Sequence, residues 1–399
     1  MDILCLMGLF PENYRKEIEK DTISGMQNAA DKLQWAIVKG LSSIDDVQVG
    51  VINSLYIGSY PRRYRKLMIP SFKFTAFDRV EGENVGFCNL TGIKLFSRYQ
   101  TAKKAVEVWA RKPGEEKVLL IYALTGSFTK IAEFIKKKYS HIKVCFVVPD
   151  LPEYMRNNKA KEKLVYKVAK TESIKRMRKN LRPVDCYVFL TDTMKEWFGY
   201  PVKYTVVEGI AGNTLDLQTP EKREKKIIYA GGISEAYGVV DLVKSFISVG
   251  ASDWELVLYG DGESMQAIRE LSVDYPNVKI MGLTPNQEVV KQQRNASILV
   301  NPRKNQIFTR YSFPSKILEY MSSGTAVLAY KLDGMPDEYD PYYYRIPDDD
   351  NGMENALRKV MELPEEAREK MGLSARTFVA ENKNPVSQCQ KIVKLLREL

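Results

Sequence analysis

The stretch from Ser297 to Tyr330 constrains this chain most, because it reads as strand, loop, helix, turn and second strand. The apolar run Ile298-Leu299-Val300 is short and ends at Asn301-Pro302-Arg303, as a buried parallel strand does. Ser312 and Pro314 are helix-start signals, Gly324 is a stop signal, and Ala326 to Tyr330 supplies the next strand. Lys316 falls in the first helical turn, with Glu319 three residues on and on the same face. A cation at the positive end of a helix is opposed by the macrodipole. It makes sense if an anion docks there, where free amide N–H groups also point. A carboxylate one turn deeper can accept two sugar hydroxyls. From this stretch alone, a solvated lysine and glutamate on an ordinary helix is an equal alternative.

The rest of the chain repeats this alternation in two series. Strand candidates Ile3–Met7, Val47–Asn53, Lys117–Tyr122, Ile142–Val148 and Cys186–Leu190 are separated by helical segments, one of them opened by Gly25 to Ala30. Residues 60 to 90 read either as a long functional loop or as short strands. A polar segment from Glu208 to Lys225 reads as a linker. The second series runs through Ile227–Ala230, Glu255–Tyr259 and Val278–Gly282 into the stretch above. Strand–helix alternation argues for parallel, doubly wound α/β sheets. Glycines follow three successive strands at Gly231-Gly232, Gly260-Asp261-Gly262 and Gly282. Open α/β sheets bind ligands beyond the carboxyl ends of their strands, and glycine lets backbone N–H groups approach a phosphate.

With 399 residues, two domains of roughly 200 each are the natural division. Five scattered cysteines without metal spacing read as reduced core residues of a cytosolic protein. One histidine, His141, argues against a histidine metal site or a Ser-His-Asp triad. No apolar run approaches the ~20 residues needed to cross a bilayer, and the N-terminus reads as a first strand rather than a signal peptide. The net charge of +10 is concentrated between Arg156 and Arg182, where eleven cations face two carboxylates. Leu164, Val165, Val168, Ile174, Met177 and Leu181 keep roughly helical spacing beside Lys163, Lys167, Lys170, Lys175, Arg176, Arg178 and Lys179. That pattern predicts an interfacial helix on an anionic membrane surface, or else a solvated helix face. Nucleic-acid binding is disfavoured by the absence of any recognisable module for it.

Tyr229-Ala230-Gly231-Gly232, Leu258 to Gly262, Asn301-Pro302-Arg303 and Ser312 to Gly324 together resemble glycosyltransferase family 4, in its bacterial exopolysaccharide and capsule branch. Gly25 to Ala30 and Asp150-Leu151-Pro152-Glu153 also resemble that branch, so the likeness spans almost the whole chain. The resemblance implies the glycosyltransferase B fold, two Rossmann-like domains facing a cleft. They would comprise an acceptor domain over 1–207 and a nucleotide-sugar domain over 208–375, with a terminal helix over 376–399 packing back on the first. It also implies retaining transfer from a nucleoside-diphosphate sugar, UDP-linked by expectation, without metal or other cofactor. The acceptor would be a lipid-linked saccharide at the cytoplasmic membrane face.

Carried over by position, Glu319 would hold the ribose, Gly231 and Gly232 the diphosphate, and Gly260, Asp261 and Gly262 the wall of the nucleotide cleft. Leu283 would face the base, with Ser315 beside the donor and Gly8, Gln27 and Asn28 on the acceptor side. The sequence departs from the family at three places. Tyr311 stands where a paired glutamate belongs and either contacts the sugar or packs. Gly232 and Tyr237 stand near the usual Arg and Lys, and Asp150 lies near the place of a missing histidine. Asp150 would orient the donor sugar, take the acceptor's proton, or merely cap a helix. Arg303 and Lys316 are the expected diphosphate cations, one forking onto two oxygens and the other a point charge at the helix end. Two rivals are a nucleotide-sugar epimerase on the same fold and a non-catalytic nucleotide-sugar or polyanion binder.

Overall fold

The computed structural model describes residues 1–23, 25–153, 164–212, 220 and 222–399, with the backbone alone over 164–170. They form two compact units, Met1–Ile210 with Pro385–Leu399, and Ala211–Asn384.

The first unit opens with β1 (Asp2–Met7), α1 (Glu12–Asp21), α2 (Asn28–Ser42) and β2 (Gln48–Asn53). Four short strands occupy the segment that reads equally as loop or strand: β3 (Met68–Ile69), β4 (Phe72–Ala76), β5 (Val80–Asn84) and β6 (Phe87–Cys88). Then come α3 (Lys94–Ala110), β7 (Lys117–Tyr122), α4 (Gly126–Lys138), β8 (Lys143–Val148), α5 (Leu164–Leu181), β9 (Cys186–Phe189) and β10 (Tyr204–Val206). The eight-stranded sheet has the order β10-β9-β8-β7-β1-β2-β5-β4, parallel throughout except for the β4–β5 pair at its edge. β7 is buried along its whole length, as a central parallel strand must be. Its one charge is explained locally. The Lys117 amine donates to the carbonyls of Trp109 and Lys112 at 2.6 Å and of Ala110 at 3.2 Å, so it neutralises the C-terminus of α3.

The second unit contains β11 (Glu224–Ala230), α6 (Val239–Val249), β12 (Glu255–Tyr259), α7 (Met265–Leu271), β13 (Val278–Gly282), α8 (Asn286–Asn295) and β14 (Ala296–Asn301). α9 (Ser315–Ser322), β15 (Ala326–Ala329), β16 (Tyr344–Arg345), α10 (Gly352–Glu362) and α11 (Glu365–Asn382) complete it. All six strands are parallel in the order β13-β12-β11-β14-β15-β16. The strand order reverses between β11 and β14, the place where such sheets bind ligands at their carboxyl edge.

The last helix, α12 (Pro385–Arg397), belongs to the first unit and lies on α2. Gly40 makes that contact, since a methyl group there would fall 2.1 Å from the Pro385 carbonyl and 2.6 Å from Cys389 Sγ. Buried Cys389, Ile392, Val393 and Leu396 join the core formed by Ile37, Val38 and Leu41 with the strands. Among the described residues no helix is long and apolar enough to cross a membrane. Gly40→Ala is expected to lower unfolding stability by about 1–3 kcal/mol through overpacking. The control is Gly25→Ala, where a methyl meets nothing within 4 Å; denaturant midpoints of the two variants check the difference.

Candidate functional site

The parallel register of the second unit brings four strand ends to one edge. Ala230 pairs with Tyr259, Tyr259 with Gly282, and Ile228 with Leu299. The glycine turns beyond them pack backbone on backbone. Gly231 N–H donates to the Tyr259 carbonyl at 2.9 Å, Gly260 N–H to Gly282 at 2.8 Å, and Ile233 N–H to Asp261 at 2.9 Å. Gly260 takes φ +128°, and a methyl group on it would sit 1.8 Å from the Gly231 carbonyl. A methyl on Gly262 would sit 2.1 Å from the Ile233 carbonyl. These glycines are thus required by the turns themselves. Asp261 is exposed, and its Oδ1 accepts from the Gly262 N–H at 2.8 Å, which fixes the turn rather than leaving the carboxylate to a ligand alone.

α9 reaches the same edge. Tyr320 is fully buried, and its hydroxyl accepts from the Ala230 N–H at 2.9 Å while lying 3.3 Å from the Ala230 carbonyl. One turn earlier, the Lys316 side chain lies over the first glycine turn: a methyl on Gly231 would be 2.8 Å from Lys316 Cε and 2.7 Å from Tyr229 Oη. The bare backbone at Gly231 therefore gives the lysine its room. Tyr229 Oη donates to the Gly232 carbonyl at 2.7 Å, so that turn is also held from below. Glu319 is half-buried, with Oε1 accepting from Gln293 Nε2 at 2.8 Å. Gln293, fully buried on α8, orients this carboxylate. Neither Gln293 nor Tyr320 is legible as a site residue, because a lone Gln and a helix Tyr carry no spacing signal.

Arg303 follows the carboxyl end of β14 and is half-buried between two rings, its guanidinium carbon 5.4 Å from the Tyr237 centroid and 4.6 Å from that of Phe308. Burial lowers its pKa, its Nε has no hydrogen-bond partner, and no acidic residue pairs with it among the described residues. Cation–π contact offsets part of the desolvation cost, about 0.5–2 kcal/mol per ring. The unpaired charge still favours an incoming anion. Position 237, where the family leads one to expect a cation, thus seats the cation of a neighbouring loop. A methyl on Gly232 would lie 3.0 Å from the Tyr237 ring, which closes this aromatic side of the turn. Ser315 is exposed at the start of α9, Tyr311 is half-buried in the turn before it, and Leu283 is 82% exposed beyond β13. An exposed leucine at a strand's carboxyl end is suited to stack on a flat apolar ring.

In the first unit the loop after β1 has its N–H groups occupied internally. Gly8 donates to Gln34 Oε1 at 2.7 Å, Leu9 to Asn53 Oδ1 at 2.6 Å and Phe10 to Asp31 Oδ1 at 2.8 Å. A methyl on Gly8 would lie 2.2 Å from the Tyr56 ring, so that glycine is required by packing. Gln27 and Asn28 are exposed at the N-terminus of α2. Asp150 lies beyond the carboxyl end of β8; its side chain reaches solvent, yet the protein around it raises its pKa through desolvation. In the same unit, Arg98 is buried, and no carboxylate pairs with it among the described residues. It donates to Ser54 Oγ at 2.9 Å and the Ser54 carbonyl at 2.7 Å, and lies 5.1 Å from the Tyr56 ring. Neither it nor Lys94, whose amine donates to the Ile57 carbonyl at 2.5 Å, carries a motif that the sequence reveals.

Along α5, Lys163 and the side chains of Lys167 and Lys170 lie outside the described residues. Lys175, Arg176 and Lys179 are exposed. Arg178 lies 4.5 Å from the Trp197 ring and 3.3 Å from Glu153. The expected apolar membrane face is corrected over the last turns: Met177 and Leu181 are buried in the unit's own core.

Two consequences are measurable. Tyr320→Phe leaves the Ala230 N–H buried without its partner and is expected to destabilise the second unit by about 1–3 kcal/mol in chemical denaturation. Burial and Arg98 pull the Lys94 amine down to about 8 from 10.5. Between those values the unfolded chain binds the extra proton, so this group makes stability rise as pH increases. Lys94→Met is expected to remove that part of the rise, read as unfolding free energy against pH beside the wild type.

Residues 224–362 match the family described as glycosyl transferases group 1. Among curated proteins no sequence relative matches the chain. Solved structures do. Sucrose-phosphate synthase from Thermosynechococcus elongatus superposes with a TM-score of 0.65 at 13% identity, covering 100% of this chain and 99% of that one. The lipopolysaccharide outer core galactosyltransferase WaaB gives 0.60 at 13% identity, with 100% and 99% covered. The Anabaena protein HepE in complex with UDP gives 0.62 at 14% identity, with both chains covered completely. The segment holding the glycine turns, Arg303 and α9 therefore carries the glycosyl transferases group 1 match, in a chain with the glycosyltransferase B fold.

Proposed function

We propose that this protein is a glycosyltransferase that moves a sugar, with retention and without a metal, from a UDP-sugar to a lipid-linked saccharide in bacterial surface polysaccharide synthesis. The observation that carries the donor half is the convergence of Lys316 and α9 on the bare backbone of Gly231, with the unpaired guanidinium of Arg303 beyond the adjacent strand. The group 1 family match covers the same residues. A diphosphate leaving group gathers negative charge as the glycosidic bond breaks, and fixed cations in a site poor in water stabilise that charge by several kcal/mol. Glu319, oriented by Gln293, is assigned the ribose hydroxyls, and Leu283 the base. The UDP held by the Anabaena structure supports uridine as the first base to try.

On the first unit, Asp150 is assigned to the sugar-transfer step, where a carboxyl of raised pKa suits proton exchange with a hydroxyl. The exposed cations Lys175, Arg176 and Lys179 are assigned to attraction by anionic lipid on the cytoplasmic membrane face. With Met177 and Leu181 in the core, that attraction is electrostatic and needs no insertion of this part of the helix.

A thermal-shift screen against UDP, GDP, dTDP, ADP and CMP tests the donor. UDP at 100 times its dissociation constant is expected to add about 2.7 kcal/mol of stability, and an Arg303→Ala, Lys316→Ala variant to lose most of it. A shift that survives in the variant would remove the diphosphate from these two cations, and no response to any nucleotide would remove the transferase reading. Asp150→Asn is expected to keep the UDP shift while turnover falls about a hundredfold; equal turnover would release Asp150 from the reaction.

A further inference from the structure

The loop that leaves the carboxyl end of β2, residues 54–67, gathers cations without supplying them carboxylates. Ser54 N–H donates to the Met7 carbonyl at 2.8 Å and Tyr56 Oη to the Tyr122 carbonyl at 2.6 Å, so the loop starts at the edge where β1 and β7 also end. Asp150, beyond β8, belongs to that same edge. Arg62, Arg63 and Arg65 are exposed on the loop, and no carboxylate pairs with any of them among the described residues. Asp21 and Glu17 of α1 pair instead with Lys66, at 2.9 and 3.7 Å.

The backbone that presents these arginines is fixed. Tyr64, between them, is 3% exposed and packs with Phe10, Ile18 and Ile69. The Arg63 carbonyl accepts from the Ile23 N–H at 3.0 Å, and the Arg65 N–H donates to the Asp21 carbonyl at 2.8 Å. Buried Asn89 donates through Nδ2 to the carbonyls of Gly58 at 3.0 Å and Lys66 at 3.4 Å. A ligand docking here meets a loop that is already ordered, which lowers the entropic cost of binding. The charge continues on α3. Lys94 opens that helix, where the dipole opposes a cation, and Arg98 follows one turn on. Both donate to carbonyls of the loop, those of Ile57 and Ser54. Burial, and then Arg98, hold the Lys94 amine down at about 8. Like charges gathered in this way cost stability in the free protein and attract an anion to the site.

We infer that the loop after β2 is a subsite for an anionic saccharide. Arg62, Arg63 and Arg65 pair with carboxylates of its uronic-acid residues, which arginine can fork onto, and Lys94 and Arg98 add a positive field from α3. Five cations exceed what a single phosphate or diphosphate needs. They suit a ligand whose negative charges are spaced along its length, as those of an acid-bearing glycan are. The inference rests on the transferase reading, since it names the acceptor of that reaction as a carboxylate-bearing saccharide.

The test is calorimetric titration of the full chain with trigalacturonic acid at low ionic strength, with its fully methyl-esterified form as the uncharged control. The expected result is saturable binding, one per chain, about tenfold or more tighter than the ester and weakening as salt is added. Arg62→Gln, Arg63→Gln and Arg65→Gln together should reduce that affinity about tenfold or more. The melting temperature of the free protein should stay unchanged, because all three positions are exposed. Lys244→Gln, Lys359→Gln and Lys370→Gln together remove the same charge from exposed positions of the second unit and should leave the affinity within about twofold. Equal binding of the ester, or an equal loss in both triple variants, would overturn the inference. So would tighter binding of an oligothymidylate, or of phosphatidylglycerol vesicles, that the arginine substitutions abolish, because the loop would then serve nucleic acid or membrane. The UDP thermal shift reports on the second unit and separates this inference from the donor reading. A UDP shift without uronate binding overturns the subsite and keeps the transferase. Uronate binding without a UDP shift keeps the subsite and removes the transferase.

Discussion

The hydrogen bond between the Tyr320 hydroxyl and the Ala230 N–H fixes the geometry on which the donor site depends. It ties a helix to the last residue of the strand that runs directly into the Gly231-Gly232 turn. Because helical residues four apart share a face, anchoring Tyr320 against β11 carries Lys316 onto that turn. The same helix brings Glu319 against Gln293. A buried, satisfied hydroxyl thus sets the position of a cation whose purpose is electrostatic. The glycines answer the other half of the requirement. Gly231 clears space for the Lys316 side chain, and Gly260 and Gly262 let neighbouring turns touch through backbone.

Charge in the second unit follows a related logic. Arg303 is half-desolvated with no carboxylate paired to it among the described residues, and the rings at positions 237 and 308 do not neutralise it. Had an acidic residue stood beside it, the apo protein would gain stability and the site would lose attraction for a phosphate. The first unit handles its loop differently. Gln34, Asn53 and Asp31 take the N–H groups of Gly8, Leu9 and Phe10, so that loop is built as a rigid rim.

Much of this was legible in the sequence, and the exceptions have physical causes. The strand–glycine junctions at Ala230, Tyr259 and Gly282 and the Ser315–Ser322 helix could be read because apolar runs and backbone breakers act locally. The short strands between residues 68 and 88 could not be separated from a loop, since two of them are only two residues long and depend on pairing with distant partners. Gln293, Tyr320 and Arg98 were invisible for the same reason: each matters through one tertiary partner, and nothing in its neighbours announces that. The apolar stripe of α5 was legible as a stripe. Periodicity tells that a face is apolar and not what covers it, and Met177 and Leu181 turned out to be covered by the unit's own core. Tyr237 stands where the family leads one to expect a cation, and its ring instead supports Arg303 of a neighbouring loop.

The most direct measurement is a crystal structure of the protein with UDP bound. The β-phosphate is expected within hydrogen-bond distance of both Lys316 Nζ and the Arg303 guanidinium, above Gly231, with a ribose hydroxyl on Glu319. A nucleotide whose diphosphate is held elsewhere, with Arg303 still unpaired between Tyr237 and Phe308, would contradict it.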